Sequence, residues 1–354
     1  NAFLYCILAG AMISVSSTAI GLLIGIPTPA LSDVLPASLS WAVLTFLIGC
    51  LFTVLAILGF EKLSKFASVC APWLFAMFVA AALAVLARLG VRADLSNLWD
   101  VLSTRVWDGV PTPGQERFSF WHVAFFAWFA NLAMHVSLSD MALFRYAKHW
   151  SYGLYTAVGV YPGHFLAWIC SGIMVAGVKR AMDPGLMAWE AAGIAGIAAV
   201  VLAGWTTANP TLYRAGLALQ SITPNWPRWK ITLAAGLTTS VLACFPVFFL
   251  KLLDYVALYG LSLMPVGAIV FAEHWILPWL GVEPYRAERT GAEFNWNAVI
   301  VWAGTLAACW FMPVHLFFRW LPGYFIALIA YTALESISAR RGVRQPATAS
   351  AVRS

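Results

Sequence analysis

Two short stretches hold the best-gathered polar residues that this sequence sets within apolar surroundings. The first, Ala127-Trp-Phe-Ala-Asn-Leu-Ala-Met-His-Val-Ser-Leu-Ser-Asp140, gathers Asn131, His135, Ser137, Ser139 and Asp140 ahead of Phe144-Arg-Tyr-Ala-Lys148. The second is Ala203-Gly-Trp-Thr-Thr-Ala-Asn-Pro-Thr-Leu-Tyr213, where Thr206, Thr207 and Asn209 precede Pro210 at the expected end of an Ala-, Val- and Ile-rich helix. Pro210 has no N–H to donate, so it frees a carbonyl one turn back. Hydroxyls and freed carbonyls are hard oxygen ligands suited to a cation such as sodium. Asn and Trp offer hydrogen bonds and a stacking face to a flat, amide-bearing molecule. Together the two stretches outline a site in which a solute and a cation could be held side by side.

The elements that carry these residues are apolar helices. Hydrophobic residues make up 62% of the 354, charged residues only 10%, and the mean hydropathy is +0.81. A water-soluble domain of this size carries far more charge. The apolar residues fall into runs of roughly 20, each long enough to cross a hydrocarbon core about 30 Å thick. The runs are continuous rather than alternating, which excludes a membrane β-barrel. Ten spans are expected, near 2–26, 39–60, 67–88, 119–140, 152–178, 189–207, 231–250, 253–279, 296–317 and 320–337. They form one transmembrane domain over residues 1–338, with a disordered cytoplasmic tail over 339–354. The chain opens at Asn1 inside an apolar run without the basic start of a signal peptide, so an upstream segment is expected.

The six cysteines form no CxxC pair and no metal spacing with histidine, and they read as small core residues. No metal site is expected beyond a sodium site, and no organic cofactor. The net charge of +6 does not gather into one basic stripe, which argues against a nucleic-acid partner. Sorted by alternate loops, 13 of the 21 Lys and Arg residues fall on one side: Lys62, Lys65, Arg145, Lys148, Arg214, Arg228, Lys230, Arg286, Arg289, Arg340, Arg341, Arg344 and Arg353. By the positive-inside rule that side is cytoplasmic, and the C-terminus with it. There is no HExxH, GxSxG or P-loop pattern, so an enzyme is not expected. A channel would need a filter sequence or a pore-facing charge ring, and neither is visible.

Three stretches resemble the nucleobase:cation symporter-1 family, the purine, cytosine, allantoin and hydantoin permeases. They are Ser139-Asp140 through Phe144-Arg-Tyr-Ala-Lys148, Trp205-Thr-Thr-Ala-Asn-Pro-Thr-Leu-Tyr-Arg-Ala-Gly-Leu217, and Leu263-Met-Pro-Val-Gly-Ala-Ile-Val-Phe-Ala-Glu273. The resemblance extends over essentially the whole chain, with Phe294-Asn295-Trp296 opening one span and Trp320-Leu-Pro-Gly323 near the last. It implies an all-α, LeuT-like inverted-repeat transporter, with the ten spans equivalent to helices 3–12 of 12 and with solute and cation held at mid-membrane. Carried over by position, it implies a cation site from the backbone of Ala203 and the hydroxyls of Thr206 and Thr207. For a heterocyclic or ureide solute it implies stacking on Trp128 or Phe129 and hydrogen bonds from Asn131, His135 and Asn209. Asp140, Arg145, Pro210 and Pro265 would be gating or structural residues.

The expected activity is sodium- or proton-coupled uptake of a nucleobase or related compound by a monomer in a bacterial inner membrane, surrounded by lipid. The alternatives are a non-transporting receptor of the same fold, or a transporter of another small polar solute. The chain departs from cytosine and hydantoin permeases in Leu8–Thr18, which offers Ser14, Ser16, Ser17 and Thr18 where they present Trp and Gln to the ring. Each polar residue also has a plainer reading. Thr206 and Thr207 could bond back to carbonyls of their own helix, and a lone membrane histidine is commonly packing glue.

Overall fold

A computed structural model describes residues 2–30, 33–110, 117, 119–121, 141–178, 184–247, 252–314 and 318–343. Among them all regular structure is helical. The long helices are α1 (Ala2–Ile24), α2 (Leu39–Leu58), α3 (Phe60–Arg88), α4 (Tyr152–Val178), α5 (Pro184–Gln220), α6 (Arg228–Ala243), α7 (Leu252–Phe271), α8 (Trp296–Trp310) and α9 (Trp320–Val343). Seven described stretches are long and apolar enough to cross a membrane, and α8 is a shorter apolar helix. The sixteen-residue α6 is more polar. Most of the span expected over 119–140 lies outside the described residues. Of the tail expected over 339–354, residues 339–343 belong to α9, which remains helical to Val343; residues 344–354 lie outside the described residues.

The helices expose large apolar side chains on their outer faces, unlike those of a water-soluble bundle, and bury several polar ones. On α2, Leu47, Leu51, Val54 and Leu58 are exposed at helical spacing along one face, whereas Thr45 and Thr53 are buried. In water that stripe would cost solubility; in lipid it is the face that belongs outside. Small residues allow the buried faces to approach closely. A Cβ at Gly49 would strike Ser240, one at Gly236 would strike Thr53, and one at Gly204 would strike Ser16.

The chain divides into two compact units, Asn1–Arg117 with Leu143–Tyr255, and Phe118–Ala142 with Val256–Ser354. In the first, Ala9 and Ile13 of α1 pack with Ile48, Phe52 and Ala56 of α2, Ala208 and Leu212 of α5, and Ala243 of α6. A second cluster joins Val85 and Leu86 of α3 to Cys170 and Met174 of α4 and Ala191 of α5. Between these clusters α5 breaks at Gly193, whose φ of 59° and ψ of −136° suit a residue without a Cβ. The span expected over 189–207 is therefore a short helix up to the break and a longer one beyond it.

In the second unit, Ala268 and Ile269 of α7 pack with Val301 of α8 and Ala327 and Tyr331 of α9. The end of α7 passes into a π turn, Ala272–Ile276, which carries Glu273 and His274. A buried polar network surrounds that turn. Tyr331 donates its hydroxyl to Glu273, Tyr285 donates its N–H to the other Glu273 oxygen at 2.7 Å, and Asn295 donates to the Tyr331 hydroxyl at 2.8 Å. Glu335, 1% exposed, takes Arg286 Nε at 2.5 Å and Asn297 Nδ2 at 2.7 Å.

Candidate functional site

The motif around Asn209 lies within a helix rather than at its end, for α5 continues ten residues past Pro210 to Gln220. Two neighbouring carbonyls also accept side-chain hydrogen bonds. Thr211 Oγ1 donates to the Thr207 carbonyl at 2.7 Å, and Arg214 Nε donates to the Pro210 carbonyl at 3.1 Å. The carbonyl deprived of its usual N–H partner is that of Thr206, four residues back from Pro210.

Asn209 is 1% exposed, yet among the described residues neither its Oδ1 nor its Nδ2 has a hydrogen-bond partner. Burying such an amide without a partner costs about 1–3 kcal/mol in proteins. A cavity of about 260 Å³ lies against it, lined by Phe60, Leu63, Ser64, Phe66, Ala67 and Ser68 of α3, by Leu143, and by Thr206, Asn209 and Pro210 of α5. The walls are thus aromatic and aliphatic, with an amide and hydroxyls set among them. One turn before Asn209, Trp205 also leaves its indole N–H unpaired. Its ring stacks on Phe52 at 5.1 Å and packs against the cavity-lining Phe66 at 4.8 Å.

The expected cation ligands do not share one face. The Thr206 hydroxyl lines the cavity but donates to its own helix, to the Leu202 carbonyl at 2.8 Å and the Ala203 carbonyl at 3.1 Å. Thr207 is exposed and lies off the cavity lining. The structure therefore brings Thr206, Asn209 and Pro210 together and leaves Thr207 aside. Pro265 is buried within α7 of the other unit. Trp128, Phe129, Asn131, His135 and Asp140 lie outside the described residues. The α1 hydroxyls are all committed: Ser14 donates to the Ala243 carbonyl at 2.5 Å, while Ser16, Ser17 and Thr18 donate to carbonyls of their own helix.

Sequence reasoning missed a cluster beside this cavity. Arg145 Nη2 donates to the Tyr146 hydroxyl at 3.0 Å, and that hydroxyl shares a 2.7 Å hydrogen bond with Tyr213. The bond to Tyr213, and after it the one from Arg145, hold the Tyr146 phenol below its ordinary pKa. The spacing of Asn209 and Tyr213, four residues on one helical face, was the available signal. Its partner at Tyr146 is 67 residues away in the chain and left no local pattern.

A scan of protein-family models finds no match to this chain, and a search of curated proteins finds none. The functional reading therefore rests on the residues and their geometry.

Proposed function

We propose that this chain is a secondary active transporter of the nucleobase:cation symporter-1 type, carrying a nucleobase or related heterocycle or ureide together with sodium or a proton. What carries the reading is Asn209: a buried amide with both ends unpaired among the described residues, facing a cavity between two membrane helices. Polar groups within membrane spans are costly and mark solute paths when they face a cavity. The cavity lies below the usual ligand-pocket range of about 300–1,000 Å³, which favours a single small ring over a larger molecule. Asn209 would pair with an adjacent N–H and C=O on that ring, and Phe66 and Phe60 would flank its faces.

On this reading the cation takes the freed carbonyl of Thr206 and the Thr206 hydroxyl once that hydroxyl turns from Leu202 and Ala203. Thr207 joins only if the helix rotates, and the two ligands strengthen each other's binding. The protein would lie in a bacterial inner membrane with its C-terminus cytoplasmic. A receptor that binds solute without moving it is the rival favoured by the committed Thr206 hydroxyl. Counterflow in proteoliposomes, with purines, pyrimidines, allantoin and hydantoins, separates the two. Exchange of one labelled compound supports a transporter, and saturable binding without exchange supports the receptor.

A further inference from the structure

We propose that Tyr146, Tyr213 and Phe60 form a latch that closes one end of the Asn209 cavity and must release for solute to pass. This rests on the transporter reading above. Tyr213 stands one turn beyond Asn209 on the same face of α5 and is fully buried. Its hydroxyl meets that of Tyr146 at 2.7 Å. The Tyr146 ring lies flat on Phe60, 4.3 Å between centroids and 11° between planes. Phe60 itself lines the cavity, as does Leu143 three residues before Tyr146. The rings therefore continue the cavity wall into a plug.

Three stretches far apart in sequence meet at that plug: the start of α3, the turn after Phe144 and the middle of α5. One of them is not helical, for Tyr146 sits on a turn. Tyr146 can leave Tyr213 and Phe60 by breaking one hydrogen bond and one ring stack, with no helix unwound. The backbone turns between α2 and α3 here, at Gly59 with φ 91°. Two guanidiniums bear on the rings. Arg145 donates to Tyr146, and Arg228 lies 5.0 Å over the face of Tyr213. Among the described residues neither guanidinium pairs with a carboxylate. Both hold rings, so the closed state depends on contacts that are weak one at a time. A purely structural anchor would change stability when cut; a latch changes access to the cavity.

The test places a cysteine in the cavity, Thr206→Cys, in the full chain and measures its reaction with a membrane-impermeant maleimide in vesicles of both orientations. Reaction of the parent chain is subtracted as background. Tyr213→Phe keeps the ring and its packing but removes the hydrogen bond, and Tyr146→Ala removes both contacts. The expected result is a rise of about tenfold with Tyr213→Phe, as one hydrogen bond is lost, and a larger rise with Tyr146→Ala, in one orientation only. Equal rises in both orientations would mean general loosening and overturn the latch. So would unchanged labelling in both variants at an unchanged melting temperature. Labelling needs no solute, so its failure leaves the transporter reading standing, whereas absent counterflow with a working latch defeats that reading alone.

Discussion

One polar cluster in each unit is buried in an opposite way. Around Glu273 and Glu335 the buried carboxylate oxygens have donors: Tyr331, the Tyr285 N–H, Arg286 and Asn297. Around Asn209 and Trp205, donors and an acceptor are equally hidden but have no partner among the described residues. Both arrangements lie in apolar surroundings, where an unpaired polar group costs more than its pair returns. A satisfied network braces the elements that supply it, here the π turn, the segment after it, α8 and α9. An unsatisfied one retains its hydrogen-bonding capacity, and on the proposed reading the solute takes it up at Asn209.

Substitutions should divide along the same line. The largest effect is expected from Glu335→Ala, which leaves the Arg286 guanidinium without its buried partner. Breaking such a pair costs about 3 kcal/mol, at the low end of the usual range because Arg286 is partly exposed, and should appear as a large fall in melting temperature in detergent. Tyr331→Phe removes one donor from the buried Glu273 carboxylate, with an expected loss of about 1.5–3 kcal/mol in the same assay. Asn209→Leu should go the other way. It deletes an unpaired amide and fills the site with carbon, so stability should hold or rise by roughly 1 kcal/mol while solute binding disappears. A clear loss of stability there would mean that Asn209 has a structural partner, and the contrast between the two clusters would collapse. The smallest effect should come from Thr206→Val, within about 1 kcal/mol in melting, because its hydroxyl serves only its own helix. Sodium dependence of uptake is the sharper readout for that variant: its loss assigns the hydroxyl to a cation, and its persistence removes Thr206 from the ion site.

Much of the architecture could be read from hydropathy, because a 20-residue apolar run has few other fates. The expected span over 152–178 coincides with α4, and that over 39–60 nearly so with α2. Boundaries failed where a helix carries an irregularity that composition does not record. Gly193 breaks α5 in the middle of a small-residue run, and Pro210 lies within α5 rather than at its end. Within the Thr-Thr-Ala-Asn-Pro motif, Thr206, Asn209 and Pro210 line the cavity and Thr207 does not, a division that the residue types alone do not reveal. Adjacent helical residues differ by about 100° in direction, which parts Thr206 from Thr207. The Glu273 network escaped notice because Tyr331 and Asn295 are distant in sequence and ordinary alone. Glu273 is 5% exposed and both of its carboxylate oxygens accept hydrogen bonds.

The most direct test of the account is solute-dependent thermal stabilisation of the purified chain beside its Asn209→Leu variant, across purines, pyrimidines, allantoin and hydantoins with and without sodium. Binding to the folded state alone raises stability by about 2.7 kcal/mol at a hundredfold excess over Kd. The account predicts that at least one ring compound stabilises the parent chain and that the same compound leaves Asn209→Leu unmoved. Equal stabilisation of both proteins would contradict it, placing the solute somewhere other than the cavity at Asn209.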